Sequence, residues 1–188
     1  MIQILVTSIS DSGCTDKMAA KIAEGAREIR DTTVITKTTE TVTTNDFLES
    51  DGILFGTPVH MGAPDWRIKK LLDTVIAPLW MRDEMVGKIG AVFATGSGFG
   101  KAGGGAELAM VSMLNTLAEL GMIIIPLPKN TPGYAKGGIH WGPYARTGND
   151  EQESIGVQDD QLEAAACHGM NVARAALALQ NQIVFHHS

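Results

Sequence analysis

The stretch IGAVFATGSGFGKAGGG, Ile89 to Gly105, is an apolar run that opens into a glycine-rich turn. It carries a G-x-G-x-x-G at Gly98, Gly100 and Gly103, and a helical pattern follows it. Two nucleotide-binding readings of that motif fail on context. A dinucleotide fingerprint follows the first strand, with an acidic residue about 20 positions on at the end of the next strand. Here the run is the fourth of its kind, and the next one ends at Pro126 and Leu127 with no carboxylate. A triphosphate loop needs Ser or Thr after its Gly-Lys, whereas Ala102 follows Gly100 and Lys101. What is left is either a plain surface turn or a turn that needs bare backbone for another purpose.

Outward from this stretch, short apolar runs alternate with amphipathic segments. Ile2–Val6, Thr33–Thr36, Ile53–Gly56, Ile89–Ala94 and Met122–Pro126 predict five strands. Most are near-continuous rather than alternating, as expected where helices cover both faces of a sheet. Stripes at Met18, Ile22, Gly25, Ala26 and Ile29, and at Ile68, Leu71, Leu72, Val75, Ile76 and Leu79, predict two helices. Leu108, Val111, Leu114, Leu117 and Ala118 predict a third, closed by Gly121 as a left-handed cap. Leu162, Ala166, Gly169, Ala173, Ala176 and Leu177 predict the last. The Thr-rich connection Thr39–Asp51 has room for one helical turn around Phe47 and Leu48.

This alternation implies an α/β, doubly wound, five-stranded parallel sheet with right-handed crossovers and helices on both faces. Ligands in such sheets bind beyond the carboxyl ends of the strands. The loops after strands one, three and four are therefore the place for a site. Leu127–Val157 is long and rich in Pro and Gly, and only one helix follows it. It reads as a functional loop of one domain over 1–188 rather than as a linker.

Composition narrows the function. The net charge of -6, with no basic stripe, argues against a nucleic-acid partner. No apolar run reaches the roughly 18 residues of a membrane span. The opening MIQILVTSIS reads as a strand, not a leader. Cys14 and Cys167 lie far apart with no metal-ligand spacing, so no metal is expected and a reducing, cytoplasmic setting fits.

The first loop, SISDSGCT, Ser8 to Thr15, is rich in hydroxyls and stands at a helix start. Its Ser10, Ser12, Gly13, Cys14 and Thr15 suit a phosphate, which backbone N–H groups and the helix dipole favour. Ordinary capping by Thr15 explains the same residues. The third-strand loop, GTPVHMGAP, Gly56 to Pro64, turns at Pro58 and Gly62 and presents Val59, His60 and Met61. That half-apolar rim suits a flat ring with polar edges, or is simply loop surface. A phosphorylation-receiver domain needs an acid at the end of strand three, where Thr57 stands.

SISDSGCTDKMAAKIAEGA, FGTPVHMGAPDWRIKKLLD, ATGSGFGKAGGGAE and LGMIIIP together resemble the flavodoxin-like FMN proteins, above all the WrbA-type NAD(P)H:quinone oxidoreductases. The resemblance runs from Ile2 to about Ala178, and KGGIHWGPY, Lys136 to Tyr144, extends it with Trp141 in place of a tyrosine. It implies FMN as cofactor, NAD(P)H as donor and a quinone or similar acceptor. Ser10, Ser12, Gly13, Cys14 and Thr15 are then expected to hold the FMN phosphate. Pro58, Val59, His60, Met61 and Gly62 line one side of the ring, and Thr95, Gly96, Ser97 and Gly98 run past its edge. His60 and His140 are the candidate proton donors, while His168, His186 and His187 are expected at the surface. Cys14 lends backbone rather than a redox thiol. The chain departs from the family at Glu119 and Leu120, which replace paired histidines of the nicotinamide region. The resemblance further implies a homo-oligomer, dimer or tetramer, with Trp66, Trp80 and Trp141 as contact candidates; Trp80 also fits core packing. The competing function is a flavodoxin-type electron carrier without its own NAD(P)H turnover.

Overall fold

In a computed structural model of the chain, residues 1–99 and 104–185 are described. Gly100, Lys101, Ala102 and Gly103 of the glycine-rich turn, and His186 and His187, lie outside the described residues. The four strongest apolar runs form the strands β1 (Ile2–Ser8), β2 (Thr32–Thr38), β3 (Gly52–His60) and β5 (Ile89–Gly96). They lie parallel in the order β2-β1-β3-β5. Between them run α1 (Cys14–Arg27), α2 (Thr44–Glu49), α3 (Trp66–Leu71) and α4 (Ala77–Trp80), with α3 and α4 joined through a π-helical turn at Leu72–Ile76. Thr43 and Asp46 form a capping box that extends α2 beyond the single turn expected. A two-residue strand, β4 (Ala63–Pro64), folds back antiparallel on the end of β3.

The fifth column of the sheet differs from expectation. Only β6 (Ile123–Ile124) of the predicted Met122–Pro126 strand pairs with the start of β5. Pro126 has no N–H to carry the ladder on. The chain loops out through α6 (Tyr134–Gly137) and β7 (Gly138–Ile139), then returns as β8 (Gly142–Arg146) beside the far end of β5. The column is thus one strand position filled by two segments, and KGGIHWGPY ends inside this chain's own sheet.

Helices α1 and α7 (Leu162–Leu179) cover one face over Ile4, Val6, Leu54 and Phe93. The other face carries α3, α4 and α5 (Ala106–Glu119) over Leu5, Phe55 and Val92. Gly121, at φ +71°, closes α5 as expected. The buried face of α5 is rotated from the predicted stripe. Met110, Met113, Leu114 and Leu117 are inside, while Leu108, Val111 and Ala118 are exposed. The helix is apolar on several sides, so its period alone does not select the inner one.

His168 is a second correction. It is fully buried, because it shares the inner face of α7 with Ala164, Ala165 and Val172. Neither ring nitrogen finds a partner among the described residues, and burial pushes its pKa down to about 4. The folded chain therefore holds this ring neutral while the unfolded chain protonates it near pH 6.5. Stability is highest above that value and falls as pH drops toward 4. Between pH 6.5 and 5 the loss is about 2 kcal/mol. Urea unfolding at the two pH values is expected to show it in the wild type, and His168→Leu is expected to remove that part of the pH dependence.

Candidate functional site

The carboxyl ends of β1, β3 and β5 meet at one edge of the sheet, and the three turns beyond them enclose a cavity of about 120 Å³. Ser10, Ser12, Cys14 and Thr15 line it from the first turn, Pro58, Val59 and His60 from the end of β3, and Thr95, Gly96 and Ser97 from the end of β5. Gly13, Met61, Gly62 and Gly98 belong to the same turns without lining the cavity. His140 is not brought here. It is exposed beside Trp141, with ring centroids 4.4 Å apart, beyond β7. Asp11 and Thr147 line the cavity and were not singled out in the sequence. A larger cavity of about 540 Å³ lies elsewhere, between α3–α4 and α5, against Ile68, Ile76, Trp80 and Met113. It contains none of the predicted site residues.

The first turn fits a phosphate. Helix α1 starts on Gly13 at φ +80°, a cap position without a side chain of its own, so the helix start opens onto the hydroxyl-rich turn. The space where a Gly13 Cβ would stand is open. Thr15 is not the cap. Its backbone N–H donates to Ser10 Oγ at 3.2 Å, and its buried hydroxyl hydrogen-bonds Thr95 Oγ1 at 2.8 Å, tying the first turn to the end of β5.

The glycine-rich stretch is shaped by close approach of main chain to main chain. A Cβ on Gly104 would stand 3.0 Å from Gly98 Cα, so the two legs of the turn touch at its base. A Cβ on Gly105 would stand 2.4 Å from Gly62 Cα, so the same stretch also abuts the turn after β3. Gly98, Gly104 and Gly105 all have positive φ, which suits glycine. Val59 packs on the main chain of Gly96, where a Cβ would stand 3.2 Å from Val59 Cβ, and the two line the cavity together, an apolar side chain beside bare backbone that suits the margin of a planar ring.

A charged cluster spans the first and third turns. Asp65 is buried at the start of α3, and its side chain accepts from the Arg67 backbone N–H and Nε at 2.8 Å each. Arg67 Nη2 donates to Asp65 at 2.8 Å and to Asp11 at 2.7 Å, bridging the two turns. The Arg67 side chain is the main cause that holds Asp65 below the usual carboxylate range, and the two carboxylates raise the arginine further. His60 Nδ1 lies 3.0 Å from Asp65 Oδ2, within donating distance, and its Nε2 lies 3.6 Å from Asp11 Oδ2. Asp11, His60 and Asp65 are close enough to share an ion, but the Arg67 guanidinium already provides the positive charge between the carboxylates. On the other side of the cavity, Tyr144 donates its hydroxyl to Gly96 O at 3.3 Å, and burial pushes its phenol up.

The profile of a family described as "NADPH-dependent FMN reductase" matches residues 1–130. A protein named NAD(P)H dehydrogenase (quinone), from Paracoccus denitrificans (strain Pd 1222), is 30% identical and aligns over 95% of this chain and 96% of its own. A protein named flavodoxin, from Aquifex aeolicus (strain VF5), is 37% identical over 124 residues, which span 66% of this chain and only 64% of that relative. Among solved structures, a WrbA-like flavodoxin from Agrobacterium tumefaciens superposes with a TM-score of 0.70 at 21% identity, covering 95% of this chain and 99% of that one.

Proposed function

The chain belongs to the NADPH-dependent FMN reductase family, and from that premise we propose that it is an FMN-dependent oxidoreductase passing electrons from NAD(P)H to a quinone or similar acceptor. The observation that carries this reading is the convergence of a hydroxyl-rich helix start, bare backbone at Gly96 and the His60 ring on one cavity. When bound, FMN supplies the redox chemistry, and the protein supplies position and electrostatics. Ser10, Ser12, Gly13, Cys14 and Thr15 hold the phosphate. Pro58, Val59, Met61 and Gly62 cover one side of the ring, and Thr95, Gly96, Ser97 and Gly98 meet its edge. Purified protein is expected to be yellow and to bleach anaerobically on addition of NADH or NADPH. Colourless protein that takes up no added FMN overturns the reading.

His60 lines the cavity, and Asp65 orients its ring through Nδ1, the placement a proton donor to the acceptor needs. A quinone oxygen needs a proton as it is reduced; ferricyanide, a one-electron acceptor, does not. His60→Gln is therefore expected to slow quinone reduction by at least tenfold and to leave ferricyanide reduction nearly unchanged. Equal losses with both acceptors would remove the proton role.

Two further parts of the proposal concern the setting. We infer a single domain over 1–188 in the reducing cytoplasm, where the free thiols of Cys14 and Cys167 are at home. We also infer a dimer or tetramer. Trp66, Trp80, Met81 and Leu108 are exposed at 67%, 44%, 72% and 70%, an unusual display of large apolar side chains. The Aquifex relative favours a second reading, a flavodoxin-type electron carrier. Flavin that ignores both nicotinamides yet exchanges single electrons with a chemical donor would select it.

A further inference from the structure

We propose that Arg146 is the charge that sets the reduction potential of the flavin site; the proposal rests on the FMN reading above. Arg146 is the partner of Gly96 in the β5–β8 register. Its side chain lies against the glycine-rich turn, because a Cβ on Gly98 would stand 3.2 Å from its Cγ, Cδ and Nε. The neighbouring Thr147 lines the cavity and donates its backbone N–H to Gly96 O at 2.9 Å. Arg146 is therefore fastened beside the 96–98 turn by the sheet itself.

The hydrogen bonding of this side chain is incomplete. Nη2 donates to Asp150 Oδ1 at 3.0 Å, but Nε is buried and finds no acceptor among the described residues. A buried charged donor left without a partner is costly, and such a cost persists where the charge itself has a use. The use follows from what the turn faces. On the FMN reading, the polar pyrimidine edge of the ring would lie against the 96–98 turn, and that edge carries negative charge in the reduced form. A fixed positive charge beside the turn favours the reduced form over the oxidised one, through the part of the guanidinium that is buried against the turn; the rest of the side chain is partly exposed and screened by solvent. Arg146 acts through the turn and is a positioning charge, not a group that touches the ring.

The test is a pair of affinities, not a rate. Oxidised and reduced FMN are titrated into the apoprotein, and the potential of the bound pair is measured against a reference dye. Arg146→Gln is expected to change the affinity for oxidised FMN by less than threefold. It is expected to weaken reduced FMN about tenfold more, which for a two-electron couple is about 30 mV. Arg146→Lys is expected to restore most of the shift. Asp150→Asn, which removes the compensating carboxylate and leaves the arginine in place, is expected to move the potential the opposite way. This variant serves the test if Arg146→Gln folds poorly. Unchanged potentials in Arg146→Gln and Asp150→Asn, with FMN still bound, overturn the proposal and leave the FMN reading intact. Equal weakening of both FMN forms assigns Arg146 a merely structural part and also overturns it. A wild-type chain that binds neither form overturns both.

Discussion

Gly105→Ala is expected to weaken FMN binding about a hundredfold, while Gly62→Ala is expected to weaken it no more than tenfold. The two glycines stand against each other where the glycine-rich stretch abuts the turn after β3, at the edge of the site, and both have positive φ, +87° and +78°. Alanine at either therefore meets the left-handed backbone cost of about 1–2 kcal/mol. Only Gly105 meets a second one. Its Cβ would stand 2.4 Å from Gly62 Cα and 3.2 Å from Gly62 C, main-chain atoms with no rotamer to adopt. The Gly62 Cβ would point into open space. Gly105, the cap of α5, must then back away from the turn after β3, and the turns that frame the cavity shift apart. Overpacking of this kind costs about 1–3 kcal/mol, and a hundredfold in affinity is about 2.7 kcal/mol. Quenching of FMN fluorescence on binding to apoprotein gives both affinities. Equal losses in the two variants would mean that the contact between the turns does not shape the site.

The contrast between these two glycines also marks how far the sequence could be read. Three turns at the ends of near-continuous apolar runs were legible, because strand-helix alternation alone places them on one edge of the sheet. That Gly105 touches Gly62 was not legible, since nothing local to either residue encodes a contact 43 positions away. The same holds for the Arg67 bridge to Asp11, which spans 56 residues. Asp65 reads locally as the cap of α3, which it is. Its second task, orienting His60, exists only because β4 folds back on the end of β3 and pairs His60 with Ala63. The segment Gly142–Arg146 is not legible as a strand, because GPYAR carries the residues of a turn. Its extended form is supplied by pairing with Ala94–Gly96 rather than by propensity. At His168 chemistry points to the surface and position points inward. Its spacing from Ala165 and Val172 put it on the inner face, and a polar side chain obscured that.

Gly169→Ala is expected to destabilise the fold by about 3 kcal/mol, against the direction that helix propensity predicts. Gly169 lies in the middle of α7, where alanine is intrinsically better by about 1 kcal/mol. The neighbour decides the sign. A Cβ there would stand 2.0 Å from Ile22 O, 2.9 Å from Ile22 C and 3.0 Å from Ala26 N, all main-chain atoms of α1. The contact has a counterpart: a Cβ on Gly25 would stand 2.1 Å from Ala166 O. Helices α1 and α7 thus approach backbone to backbone at two glycines, one on each. A methyl at either forces the axes apart and loosens Ile22, Ala26, Val172 and Ala173, which are sealed between the helices and the sheet. Close-packed interiors do not yield to such a shift without losing contacts on both sides. In a domain of this size, 3 kcal/mol corresponds to a fall in Tm of about 6–12 °C. Gly25→Ala is expected to cost a similar amount. The double variant is expected to cost less than the sum, because one separation of the helices relieves both clashes. Thermal melts of the four proteins decide the matter. A Gly169→Ala variant as stable as wild type, or more so, would show that the helices separate freely. Additive losses would show that the two glycines act at independent contacts rather than at one shared seam.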